Sequence, residues 1–190
     1  MKNNFLFSVV IALVFLSLDA CKKELPIPNG GLVLGESYKG GKIAYFFVPG
    51  DPGYKSTETH GIIAAPSDQS IGIQWYNGSP LITGATDKSI GKGNSNTQKI
   101  VTIQGSGTYA AKLCSDLVTG TYSDWHLPSC DELNKLYINR NAIGGFANYY
   151  YWSSSEDNAN YAWLQDFSTG KQMVNNYKGS PVYVRAIREF

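Results

Sequence analysis

The chain reads as an α+β fold: strands first, two short helices in the middle, strands again. Three observations predict it. Apolar, aromatic-rich runs bounded by glycine and proline occupy residues 42–48, 61–65 and 71–75. Helical spacing with a capping signal lies between residues 110 and 137. Strand-forming runs with a hairpin signal return at residue 149 and continue to the C-terminus. Strands and helices segregated along the chain in this way belong to α+β proteins rather than to alternating α/β ones.

Composition bounds the rest. The 190 residues, 43% apolar and 13% aromatic, suffice for one domain with an ordinary core. Charged residues make up only 16%, with 20 Gly and 13 Tyr, so Ser, Asn, Gln, Thr and Tyr must build most of the surface, as in extracellular proteins. Net charge is +1 and Lys22-Lys23 is the one basic cluster, which excludes the electrostatic footprint of a nucleic-acid-binding protein.

Residues 1–20 read as an export signal. Lys2 supplies the positive start, and residues 5–18 form an apolar run interrupted only by Ser8 and Ser17, too short to span a bilayer comfortably. The ending Leu18-Asp19-Ala20-Cys21 resembles the lipobox of bacterial lipoproteins, which makes Cys21 the expected lipid attachment site. The lipid would then be the only contact with the membrane, and the domain would sit in the cell envelope outside the cytoplasm, at the outer membrane in this reading. A plain secretory signal cut near Ala20 would instead leave Cys21 as a third thiol. Residues 21–37, with two prolines, adjacent glycines and no periodicity, read as a tether, and residues 38–190 as the domain.

Within the domain, residues 42–48 and 61–65 form strands that can pair across the Gly50-Asp51-Pro52-Gly53 turn, and residues 71–75 form a third. Residues 76–98 are polar and Gly-rich and read as a long surface loop. They carry neither a phosphate-binding loop, since Lys92 is followed by Gly93, nor the oxygen spacing of an EF-hand. Ala110, Leu113, Cys114 and Leu117 then fall on one helical stripe that Gly120 stops. Ser129-Cys130-Asp131-Glu132 is a capping box opening a second helix, with Leu133, Leu136 and Tyr137 on its buried side. This places Cys114 on the inner face of the first helix and Cys130 in the first turn of the second. In an oxidising compartment the pair is expected to form a disulfide closing about fifteen residues, worth roughly 3 kcal/mol. The C-terminal strands cover residues 149–153, 161–167, 171–174 and 182–187, with a hairpin turn at residues 168–171.

Four stretches carry a resemblance: HGIIAAPSDQSIGIQW (60–75), LCSDLVTGTYSDWHLPSCDELNKLY (113–137), NYYYWSSSEDNANYAWLQDF (148–167) and YVRAIREF (183–190). Together they resemble the domain family of unknown function that includes the C-terminal domain of the bacterial collagen-like adhesin Lcl, to which the major paralogous domain group is related. The resemblance covers residues 38–190. It implies a C-type-lectin-like fold, two short helices flanking a small twisted antiparallel sheet, and a surface binding or adhesion module rather than an enzyme. In the adhesin the domain is associated with glycosaminoglycans; here the net charge of +1 offers little to a sulfated polysaccharide.

Candidate binding residues gather in the 150–161 region. Tyr149, Tyr150 and Tyr151 cannot all point inward on one strand, so at least one is exposed, and Tyr150, Tyr151 and Tyr161 could offer an aromatic platform to a sugar ring or a protein. Ser154, Glu156, Asp157 and Asn158 add oxygen and amide groups in a predicted loop; hard oxygen donors of this kind suit Ca²⁺, although the run does not reproduce the lectin ligand set, and capping by the serines with Glu156 and Asp157 solvated is the expected role. Trp125, Trp152 and Trp163 are expected to fill the core. With His60 and His126 the only histidines, a His-rich metal site is excluded, and a disulfide would remove Cys114 as a nucleophile partner for His126. No catalytic constellation is assembled. The expected function is a non-enzymatic envelope lipoprotein binding a glycan or surface protein. A structural subunit of a surface assembly is the alternative, and an enzyme like the formylglycine-generating oxidases, with reactive Cys114 and Cys130, is a third reading on fold analogy alone.

Overall fold

The computed structural model describes residues 28–190; the expected signal, Cys21 and most of the tether lie outside them. Two sheets organise the domain. The first has the order β1 (Ser37–Tyr38), β2 (Gly41–Phe46), β3 (Gly61–Ala64), β9 (Ile187–Glu189). The second has the order β4 (Ser70–Ile73), β8 (Val182–Val184), β5 (Tyr150–Glu156), β6 (Tyr161–Asp166), β7 (Gln172–Tyr177). β3 is buried along its whole length because it faces two cores, Ile63 entering one and Ile62 and Ala64 the other, which is why it reads as an uninterrupted apolar run. The first core gathers Trp75, Tyr109, Trp125 and Trp152; the second gathers Phe47, Leu133, Leu136, Tyr151 and Phe167.

The α+β class holds, with four corrections. Every strand pair is antiparallel except β5 with β8, which runs parallel at Tyr151 and Tyr183, so the second sheet is mixed. The expected strand over 182–187 is two strands in different sheets. Buried Arg185 holds the crossing point through Asp68 Oδ1 (2.7 Å) and the Ala65 carbonyl (3.1 Å). There are four α-helices among the described residues: α1 (Gly93–Gln104), α2 (Ala110–Ser115), α3 (Cys130–Ile138) and α4 (Arg140–Ile143). α1 begins inside the expected surface loop. Its buried stripe is Gly93, Asn96, Thr97, Ile100 and Gln104, a helical period filled mostly by polar residues.

The fourth correction concerns the cysteines. Cys114 and Cys130 are both buried free thiols, not a disulfide. Their surroundings differ: Cys114 packs in the first apolar core, whereas Cys130 Sγ lies 3.4 Å from Ser153 Oγ, among the serines of β5. Burial pushes both thiols above their ordinary pKa.

Candidate functional site

Two buried carboxylates do the bracing that a disulfide was expected to do. Glu156, at the end of β5, accepts hydrogen bonds from the backbone N–H of Thr83 (2.9 Å) and Gly84 (2.8 Å) and pairs with Lys178 Nζ at 2.7 Å. Lys178 also donates to the Leu81 carbonyl (3.2 Å) and lies 4.4 Å over the Trp75 ring, so the loop before α1 is tied to the second sheet. Burial pushes the Lys178 ammonium below the ordinary lysine range, against the pull of Glu156. Glu132 completes the capping box with Ser129 and also accepts from the N–H of Gly91 at 2.7 Å, tying the start of α1 to α3.

The residues expected to bind ligand are therefore dispersed. Tyr151 is fully buried, its hydroxyl accepting from Ala147 N and donating to Asp68. Ser154 and Glu156 lie inside β5 rather than in a loop and are buried too, because the serines of this strand bond inward: Ser154 N–H donates to the Pro128 carbonyl (2.7 Å) and Ser155 Oγ to the Asp87 carbonyl (2.9 Å). Only Asp157 and Asn158 turn outward, so the oxygen cluster proposed for Ca²⁺ is not assembled, and a lysine already neutralises Glu156. Among the described residues no group of three or more His, Cys, Asp or Glu side chains could hold a metal ion. Tyr150 (38% exposed) and Tyr161 (37%) are half-open but sit at opposite ends of the β5–β6 hairpin: Tyr150 opposes Asp166, while Tyr161 opposes Tyr177. Tyr149, also exposed, packs its ring at a tilt against Tyr150 and Tyr183, forming a small aromatic end of its own. Of the three tryptophans expected inside, Trp125 and Trp152 are buried, whereas Trp163 is half-buried with Lys88 Nζ 4.6 Å over its ring.

What the structure does gather is a polar cleft between the outer side of α1 and residues 123–126. One lobe, of about 370 Å³, is lined by Asn94, Thr97, Gln98, Val101 and Thr102 of α1, by Ser115 of α2, and by Ser123, Asp124 and Trp125. A second lobe, of about 250 Å³, is lined by Gly91, Asn94, Asp124, His126 and Glu189, so the two meet at Asn94 and Asp124. The walls are firm. Thr97 exchanges hydrogen bonds with the backbone of Leu127, donating at 3.3 Å and accepting at 3.0 Å, and the backbone of His126 pairs with that of Ile187 in a β-bridge. Asp124 is gripped by both arms of Arg188, at 2.6 and 2.9 Å, which holds its carboxyl below the usual range.

Five buried side-chain polar atoms among the described residues lack a protein partner, and two of them, Trp125 Nε1 and His126 Nε2, belong to residues that line this cleft. Each such atom costs about 1–3 kcal/mol when left unpaired. His126 is held neutral, its pKa pulled down from 6.5 to about 4 chiefly by burial. Its Nδ1 faces the Asp124 carbonyl at 3.4 Å; with the proton assigned there, Nε2 is an acceptor. A hollow of about 410 Å³ between Asn29 and the 54–60 loop is a weaker candidate. Its charged groups satisfy one another, Glu58 taking Lys55 at 3.1 Å and His60 at 2.7 Å.

The model of the Lcl C-terminal domain matches residues 65–188. The chain belongs to the Lcl C-terminal domain family. Among curated proteins nothing matches. Among solved structures, a fimbrial protein from Bacteroides ovatus ATCC 8483 is similar with a TM-score of 0.49 and 14% identity, over 68% of this chain and 35% of that one, so the chain spans about a third of that protein's length. In this Lcl C-terminal domain the motif residues serve mainly as cross-links. Asp124 and Arg188 join the Trp-bearing turn to the C-terminus, Glu132 joins α3 to α1, and Glu156 joins β5 to the 81–84 loop. Nearly all of the cleft lies inside the matched span, with Glu189 just beyond it. Sequence reasoning missed it because α1 was hidden in a polar run. The one available signal was the i, i+3, i+4, i+7 spacing of Gly93, Asn96, Thr97 and Ile100.

Proposed function

We propose that this protein is a non-enzymatic envelope lipoprotein, anchored through lipid on Cys21, whose C-terminal domain is a surface adhesion module for a glycan or a protein ligand. The observation that carries the reading is the cleft beside α1, a rigid concavity of hydroxyl, amide and carboxylate groups around one indole, which is the furniture of recognition. Membership of the Lcl C-terminal domain family supports it, since the family takes its name from an adhesin, and the C-type-lectin-like fold that the resemblance implies is proposed along with it. An oxidase-like activity would require thiolates, and both thiols are buried with their pKa raised.

The test is binding of the full chain, in detergent, to arrayed glycans and to isolated cell-envelope fractions. Saturable binding is expected. Absence of binding to any glycan or envelope component, together with turnover of some substrate, would overturn the proposal.

A further inference from the structure

We propose that the two-lobed cleft between α1 and residues 123–126 holds an uncharged sugar residue of a glycan. The inference deepens the adhesion-module reading and rests on it. The lobe of about 370 Å³ is within the range of small-ligand sites, ~300–1,000 Å³, and suits a terminal sugar better than a protein side. A protein partner is met by aromatic anchors over a broad area, whereas this cleft presents one indole, itself buried, surrounded by small polar groups.

The chemistry of the walls is that of a polyol. A sugar hydroxyl donates one hydrogen bond and accepts others, so it needs donors and acceptors side by side. Trp125, which lines one lobe, and His126, which lines the other, carry a donor (Nε1) and an acceptor (Nε2) that are buried just behind the walls and have no partner among the described residues. Exposed amides of Asn94 and Gln98, linked to each other at 3.1 Å, supply both functions where the lobes meet. Val101, partly exposed, provides apolar surface for the C–H face of a ring.

Charge decides which sugars fit. None of the residues lining either lobe is a lysine or arginine, and Asp124 and Glu189 contribute their carboxyl groups. Arg188, the nearest guanidinium to Asp124, is committed to it through two hydrogen bonds. A sulfate or uronate placed here would face carboxyl groups with no lysine or arginine among the lining residues to receive it, which discriminates against anionic glycans.

The experiment is titration of the full chain, in detergent, with a panel of uncharged oligosaccharides in gluco, manno and galacto configurations, with and without N-acetyl groups, alongside heparin fragments of equal length. Two variants are compared with the parent: Trp125→Phe, which keeps a ring and deletes the unpaired N–H, and the surface pair Asn94→Ala/Gln98→Ala, which leaves the core intact. At least one neutral sugar should bind, heparin should not compete, and each variant should weaken binding by about tenfold or more. Trp125→Phe should do so without lowering the melting temperature by more than its lost packing explains, and Asn94→Ala/Gln98→Ala without lowering it at all. Binding of a glycan or envelope protein that both variants leave unchanged would overturn the assignment of the cleft while leaving the adhesion module standing. Heparin binding abolished by the variants would overturn the choice of an uncharged sugar. Binding of no sugar in the panel would overturn this inference, while the adhesion module would still stand on binding to the envelope fractions.

Discussion

Lys178 and Glu156 are a lysine and a glutamate almost wholly removed from water, 2.7 Å apart, and at the residue scale such a pair matters most when half of it is deleted. Lys178→Met should cost about 3–5 kcal/mol in urea unfolding, because Glu156 is left as an uncompensated buried charge. Lys178→Met with Glu156→Gln should cost clearly less than the sum of the single changes, a non-additivity that equilibrium denaturation reads directly. His126 predicts a pH dependence. Its folded pKa, about 4, lies below the ordinary 6.5, so the unfolded chain binds the proton more readily. The associated stability is full above pH 6.5 and is lost as pH falls toward 4, up to about 3 kcal/mol. Glu132 and Glu189 act in the opposite sense. Burial raises the pKa of both, the Glu132 carboxylate adds to the rise at Glu189, and their stability is present in acid and fades as pH rises through their folded values. His126→Gln separates the two effects: chemical denaturation between pH 4 and 6.5 should lose its upward slope in the variant, and an unchanged slope would show that the imidazole is not held neutral.

At the scale of elements, α1 is held by what surrounds it more than by its own sequence. A β-carbon on Gly93 would come within 2.3 Å of Glu132 Oε2 and 2.8 Å of His126 Cδ2, the first of which is fixed by the capping box. Gly93→Ala should therefore destabilise by about 1–3 kcal/mol through overpacking, even though alanine is favoured over glycine in a helix by up to about 1 kcal/mol. Thermal unfolding decides the sign. The same dependence on partners explains what the sequence made legible. α3 was readable because its cap is local: Ser129 and Glu132 satisfy each other within one turn. β3 was readable because both of its faces are apolar. α1 was not, because Asn96 and Thr97 are buried against the Asp87 and Leu127 carbonyls, acceptors supplied by distant segments. The serines of β5 misled for the same reason, since a Ser-Ser-Ser run marks a loop only until other elements provide its partners. The cleft inherits both failures. Of the residues expected to bind, Tyr151, Ser154 and Glu156 turned out to be scaffold, while Trp125 and His126, noticed for other reasons, line the concavity.

For the whole molecule, the scaffold is a pair of sheets clamped by buried polar groups, with a helix laid across them to form one wall of a cleft. With Cys114 and Cys130 both buried as thiols, a reductant should leave the melting temperature unchanged, whereas loss of a disulfide between them would lower it by several degrees, from roughly 3 kcal/mol. Thiol alkylation should be slow in the native state and go to completion at Cys114 and Cys130 only after unfolding, without prior reduction. The most direct test of the recognition claim uses the four tryptophans, whose indole N–H groups give separate signals in a nitrogen-resolved NMR spectrum of the labelled full chain. Trp75 and Trp152 donate internally, to the Ser153 and Ile73 carbonyls, and Trp125 Nε1 has no acceptor among the described residues. On titration with a bound neutral oligosaccharide the Trp125 indole signal should move, together with the amides of Asn94, Gln98 and Ser123. Shifts confined to Tyr150, Tyr161 and their neighbours, with the Trp125 signal still, would contradict the account.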